Sequence, residues 1–543
     1  MSEIANATAA TPAAPAKKSR GGAAVLVGAG ILLSRVAGLI RQRVLGHYLG
    51  TSTSADAYIA AIRIPNFLQN LLGEGVLSAS FIPVYASLRS KGLEREARSV
   101  AGAVAGLLTV VTGVFALIGV LATPFLLDAI APGFSGETRA LAIQLVRIFF
   151  PGISLLVLSA FCIGVLNSHH KFFLSYAAPV VWSAAIIVAL IAGAHAGTAG
   201  AGTAAAQARI AVFAAWGAVV GGGLQLAVQL PSVLRLLGKG ARLSLGFHDA
   251  NVREVVRNFL PVVAGRGVVQ LSAYVDTLIA SWLPAGTVAA FGYAQTIYTL
   301  PVSLFGMAVS AASLPSMSAD ATVKDKLHAQ TEAGLRAIAF PVVPSVMVFL
   351  ALGDVVCAAL FQTGKFGGRD VRYVWIVLIG STVGLLAATM ARLYSSAFYA
   401  LRDTRTPLRY AVLRVMLTAL LGVFCGLYLP KLLGVDQRYG AAGLTASAGI
   451  AGWIEFWLLR RGIGRRIGEC HLPKGLLPRL WGSAGLATAL ALGVKYVLPA
   501  MHPALRATIV LGVFGLSYLA ATSALQVAEA AQLLRRLRRI ARR

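Results

Sequence analysis

Apolar stretches long enough to cross a bilayer follow one another along this chain almost without pause, and that limits the fold more than any motif does. A hydrocarbon core about 30 Å thick needs roughly 20 apolar residues in a helix. By that measure about fourteen spans are expected, near residues 22–48, 56–88, 97–128, 138–166, 172–194, 207–236, 258–284, 287–318, 328–361, 371–401, 406–432, 438–461, 475–499 and 504–530. Within lipid the backbone must satisfy its own polar groups, so the fold class is all-α, a polytopic membrane protein. Charged residues make up only 13% of the chain, about half the share in soluble domains.

The charge that is present has a pattern. Lys plus Arg number 48 against 20 Asp plus Glu, a balance of +28 that in a soluble protein would point to nucleic acid. Here the basic residues gather mainly in alternate loops, as at Arg89–Arg98, Arg235–Arg257, Arg402–Arg409 and Arg460–Arg466, whereas 49–55, 195–206 and 284–286 hold no Lys or Arg. This places both termini in the cytoplasm and excludes a nucleic-acid partner. Lys365, Arg369 and Arg372 in FQTGKFGGRDVR fit that pattern less well. Residues 1–21 read as a disordered cytoplasmic tail and 531–543 as a basic one. The apolar run at 22–33 continues past any signal-peptide core, so it stays in the mature chain. Cys162, Cys357, Cys425 and Cys470 have no metal-ligand spacing, so neither a metal nor a disulfide framework is expected.

The chain also echoes itself. FIPVY (81–85) ends the second span as SLPSM (313–317) ends the eighth, matching Pro83 with Pro315. GVLNSHHKFFLSYAAP (164–179) joins spans four and five much as YALRDTRTPLRYAV (399–412) joins ten and eleven. Two six-helix lobes follow, 22–239 and 240–462, parallel repeats around a central cavity, with two added C-terminal helices in 463–530. A substrate site belongs between such lobes.

Intramembrane charge marks where. On the second span Asp56, Arg63, Asn66, Asn70 and Glu74 recur at helical spacing on one face, and Arg35 and Arg41 lie on the first. In the second lobe Arg266 and Asp276 fall on the seventh span, and Thr296, Thr299 and Ser303 stripe the eighth. Each charge at mid-membrane costs roughly 2.5–3.5 kcal/mol. Two readings fit: a cationic cavity for an anionic lipid-linked substrate, or arginines that snorkel while Arg63 pairs with Asp56 or Glu74. Asp276 either binds a coupling cation or proton, or bonds a neighbouring helix. No P-loop, HExxH or GxSxG is present, which argues against an ATPase or hydrolase.

SRVAGLIRQ (34–42), ADAYIAAIRIPNFLQNLLGEG (55–75), FIPVYASL (81–88), APGF (131–134), LFQTGKF (360–366) and FYALRDTRTP (398–407) together resemble the MurJ (MviN) family of lipid II flippases, in the multidrug/oligosaccharidyl-lipid/polysaccharide exporter superfamily. The resemblance implies a secondary-type transporter, not an enzyme. It would move lipid II, an undecaprenyl-diphosphate-linked disaccharide-peptide, from the cytoplasmic to the outer leaflet of the inner membrane by alternating access. It implies no cofactor, dependence on membrane potential or an ion gradient, and membrane lipids and cell-wall synthesis proteins as further partners. Arg35 and Arg41 match cavity arginines of the family, Asp56 and Glu74 match its acidic positions, and Arg63 stands where it often has Lys. The last two helices, within 463–530, would form a groove for the lipid tail. Gln69 and Thr296 depart from the family, standing where it carries arginine, and Arg266 is the nearby candidate to restore one charge. The alternatives are an exporter of another undecaprenyl-diphosphate-linked glycan with the same fold, or a non-transporting cell-wall scaffold.

Overall fold

The computed structural model describes residues 19–169, 171–196, 203–238, 243–246, 248–320 and 323–541. Most of the amino-terminal tail and the last two residues of the carboxyl-terminal one therefore lie outside the described residues. The first lobe contains α1 (Ser19–Leu49), α2 (Thr53–Leu72), α3 (Glu74–Ser90), α4 (Glu94–Leu121), α5 (Thr123–Ile130), α6 (Gly136–Ser168), α7 (Phe172–His195) and α8 (Ala204–Leu237). The second contains α9 (Ala250–Ser281), α10 (Thr287–Pro301), α11 (Ala308–Ala319), α12 (Lys324–Ala351), α13 (Gly353–Phe361), α14 (Gly368–Thr382), α15 (Leu385–Ala400), α16 (Arg405–Val423), α17 (Leu429–Leu432) and α18 (Gly440–Ile467). A hairpin of α19 (Leu476–Val497) and α20 (Pro503–Ala524) follows, then α21 (Ala528–Ala541).

Eleven of these segments are long and apolar enough to cross a membrane, or twelve if α14 and α15, which meet at 44°, form one broken span. With α1 and α9, 31 and 32 residues long, the count is compatible with the expected fourteen. Several expected single helices are broken. The second span divides at Gly73, whose backbone is extended (φ −87°, ψ −155°). A Cβ there would lie 2.3 Å from the Gln69 carbonyl oxygen, so glycine suits the break. The polar face expected to run on to Glu74 therefore ends with Asn70, and Glu74 opens a new helix. The third and ninth spans likewise shed short helices, α5 and α13.

Packing follows the repeat. In the first lobe α6 lies against α2, α4 and α8, while α7 packs on α1 and α8 through Gly217 and Gly221 facing Ala185 and Ala189. Small residues let helices approach closely where lipid offers no hydrophobic drive between them. In the second lobe α18, the counterpart of α8, packs against α14, α15 and α16. The α19–α20 hairpin docks on α12 and α13, and Lys495 Nζ of α19 donates to Asp354 Oδ2 of α13 at 2.7 Å. That pair accounts for Asp354, an intramembrane acid with no partner nearby in sequence.

Candidate functional site at the lobe seam

One end of the seam is latched. Asp56, in the first turn of α2, is 4% exposed. Its Oδ2 accepts from the Gly286 amide at 2.6 Å and its Oδ1 from the Ala289 amide at 2.7 Å. A carboxylate at the α10 N-terminus meets both unpaired amides and the positive end of the helix dipole. Gly286 makes the approach possible: its φ is +90°, and a Cβ would fall 2.4 Å from the Thr51 carbonyl oxygen. Alongside, the Tyr293 hydroxyl donates to the Gly50 carbonyl at 3.2 Å and the Thr51 hydroxyl donates to Asp370. His47 Nδ1 meets Thr363 Oγ1 at 2.9 Å, and the Lys365 amide donates to the His47 carbonyl at 2.8 Å. Arg43 Nη1 donates to the Ala359 and Leu360 carbonyls at 2.6 and 3.0 Å, capping the last turn of α13. Asp56, expected to bind substrate, has both oxygens committed to this joint. The out-of-pattern basic stretch around Lys365 belongs to the same joint.

Deeper along the seam the arginines meet only neutral groups. Arg63 does not pair with Asp56; it reaches across to donate to the Thr277 hydroxyl of α9, with Phe291 5.2 Å from its guanidinium. The Tyr274 hydroxyl donates to its carbonyl at 2.7 Å. Arg41 lies 4.5 Å over the Trp182 ring of α7, and Asn66 and Gln69 border the same indole across a gap of about 20 Å³. Arg35 and Asn70 are exposed. Arg35, Arg41 and Arg63 have no carboxylate within 4 Å among the described residues. The side chains of Glu74 and Arg266 lie outside the described part of the structure. Thr296 uses its hydroxyl on the Gly292 carbonyl of its own helix, at 3.0 Å.

Asp276 sits one residue before Thr277, with a buried Oδ1 that has no hydrogen-bond partner. It lines a cavity of about 200 Å³ inside the second lobe together with Arg392 of α15 and Arg414 of α16. Arg414 Nη1 donates to Glu455 Oε2 of α18 at 3.0 Å. Arg392 and Glu455 lie within expected spans with no evident partner in the sequence, and Arg43 and Arg414 are not among the residues it singles out. For Arg414 the signal was its place ten residues into α16, too deep to be a loop charge. A separate apolar groove of about 1050 Å³ opens between α2–α3, α4 and α9, bordered by Leu72, Leu77, Leu108, Phe115 and Leu260, with Arg253 and Arg257 along it.

Known proteins share this arrangement of helices. The profile of the family described as Lipid II flippase MurJ matches residues 45–524. The chain belongs to that family. Among relatives, the lipid II flippase MurJ of Burkholderia cenocepacia is 30% identical over 445 residues, covering 80% of this chain and 82% of that protein. A probable lipid II flippase MurJ of Vibrio cholerae is 27% identical over 477 residues, 86% of each chain. A solved structure titled as lipid II flippase MurJ in an inward closed conformation superposes with a TM-score of 0.74 at 22% identity, over 92% of this chain and 98% of that one. An inward-facing MATE-family multidrug transporter of the MOP superfamily gives 0.65 at 17% identity, over 82% and 98%. These two likenesses establish the fold: two lobes with the α19–α20 hairpin added.

Proposed function

We propose that this chain moves lipid II from the cytoplasmic to the outer leaflet of the inner membrane, by alternating access of the two lobes about the seam. The observation that carries the reading is that Arg41 and Arg63, with the exposed Arg35 on α1, have no carboxylate within salt-bridge distance among the described residues. A guanidinium left so inside a membrane protein is stable when a mobile anion supplies the missing charge. A diphosphate suits it, because arginine donates two parallel hydrogen bonds to phosphate oxygens. The exchange is favourable in magnitude. Leaving the Trp182 face costs Arg41 about 0.5–2 kcal/mol, and leaving Thr277 costs Arg63 about 1.5–3 kcal/mol, one bond with a charged donor. Two parallel bonds to a phosphate return about 3–6 kcal/mol.

With both termini cytoplasmic, the Asp56 joint faces outward, and the conformation described is shut on that side. Arg35, Arg41 and Arg63 capture the headgroup with Asn66 and Asn70 of α2; Glu74, Arg266 and Thr296 are the further substrate contacts proposed, and residues 463–530 hold the lipid tail. Release requires Asp56 to leave two amides, roughly 3–6 kcal/mol before water replaces them. Membrane potential supplies about 2.3 kcal/mol per unit charge per 100 mV, so a secondary-type cycle is adequately driven. Asp276 is the candidate for a coupling cation or proton.

The test is complementation of a strain depleted of its own lipid II flippase, comparing the native chain with Arg35→Ala and Arg41→Ala at matched membrane levels. Rescue by the native chain alone is expected. Failure of a well-inserted native chain points to another lipid-linked substrate or a scaffold; rescue by all three overturns the arginine site.

A further inference from the structure

The second lobe holds a positive charge that the seam leaves unused. Arg392 and Arg414, on adjacent spans, line one cavity of about 200 Å³ with Asp276, Gln295, Tyr298 and Thr418. Arg414 is bonded to Glu455. Asp276 has no ion pair within 4 Å among the described residues, so Arg392 is the guanidinium of this cavity left without a hydrogen-bonded acid. It has no carboxylate within 4 Å among the described residues, and both Arg414 and Glu455 are near enough to act on its charge. The residue is exposed, and it lines a polar cavity whose volume is the share of about six or seven waters at ~30 Å³ each. The amide of Gln295 and the hydroxyls of Tyr298 and Thr418 add neutral donors to the wall. Thr296 contributes none, since its hydroxyl is spent on Gly292.

We infer that Arg392 and Arg414 form a second anion subsite, within the second lobe, for a phosphate-class group. Resting on the flippase reading, its role is to take over the diphosphate as the headgroup leaves Arg41 and Arg63, giving each lobe its own hold on the substrate. The same chemistry would accept a free inorganic anion, so the two sources are separated experimentally.

The full chain in nanodiscs is titrated with undecaprenyl diphosphate and, separately, with inorganic diphosphate, for the native protein, Arg392→Gln, Arg392→Lys and the double variant Arg414→Gln/Glu455→Gln, which leaves no orphaned carboxylate. Arg392→Gln is expected to weaken undecaprenyl diphosphate binding about tenfold and to flatten its salt dependence. Arg392→Lys should recover part of the loss, and the thermal midpoint of Arg392→Gln should stay level, since Arg392 makes no ion pair among the described residues. If the native protein binds undecaprenyl diphosphate and both glutamine variants bind it equally well with the same salt dependence, the subsite is overturned and the flippase reading stands. If only inorganic diphosphate binds, and does so through Arg392, the subsite stands and the flippase reading falls. If neither probe binds, both fall. A loss in Arg392→Gln that lysine does not restore, with a lowered midpoint, assigns Arg392 to structure and overturns the subsite.

Discussion

The two stretches of the lobe seam are built on opposite principles. At the Asp56 end each polar group named has a partner across the gap: a carboxylate on two amides, a hydroxyl on Asp370, an arginine on two carbonyls. A few turns deeper, Arg41 and Arg63 have only an indole face, a ring and a hydroxyl, and Arg35 no ion pair among the described residues. A satisfied network specifies one arrangement and resists change. Under-satisfied guanidiniums do the reverse, since they gain most from something that arrives later. The first stretch is committed to one arrangement; the second, on the proposed reading, is left for a ligand.

That contrast can be broken experimentally. The largest effect should come from Arg41→Ala, with plating efficiency in a flippase-depleted strain falling at least about a hundredfold while the thermal midpoint changes little, because only a cation–π contact of about 0.5–2 kcal/mol is lost. A large loss of stability instead would mean that Arg41 holds structure. Next is Asp56→Ala, which orphans the amides of Gly286 and Ala289. Opening of the latch should rise roughly a hundredfold, about 3 kcal/mol for two bonds to a carboxylate, read as the labelling rate of Ser54→Cys, a position 3% exposed in the closed form. Unchanged labelling would show that the joint does not gate. Thr51→Val removes one hydroxyl donor to the Asp370 carboxylate and should raise the same rate only about tenfold, for about 1.5 kcal/mol.

The smallest effect lies at the opposite end of the second lobe, at Asp403. Two-pronged bonding from the Thr406 amide and hydroxyl, then Arg466, holds its carboxyl down at about 2. A depressed folded-state value means the stabilisation is present above the unfolded value near 4 and is lost as pH falls through the folded one. The midpoint difference between native protein and Asp403→Asn should therefore be constant above about pH 5 and shrink towards pH 2. Asp403 is half-buried but its partner Arg466 is exposed, so solvent screening should keep the difference small.

Much of this was legible beforehand, for a physical reason. Apolar runs and loop charges are local signals, and they carried the helical class, the two lobes and the added hairpin. Local signals also exposed Arg35, Arg41 and Arg63 as misplaced charges. What stayed hidden depends on partners far away in sequence. Asp370 meets Thr51 across 319 positions and Thr363 meets His47 across 316, so LFQTGKF could be quoted as a motif without its latching role being visible. Glu455 lies 41 positions from Arg414, beyond any helical spacing, and neither predicted the other. The break at Gly73 was missed because an unbroken polar periodicity across it looked like one helix.

The short helix α13 has a charge clasped at each end. At its start Asp354 holds Lys495 of the hairpin; at its close the Ala359 and Leu360 carbonyls hold Arg43 of α1. Nine residues of helix span about 13 Å and cannot stretch. The element is a strut, and through it a lipid tail that displaced α19 would pull mechanically on the helix that carries Arg35 and Arg41.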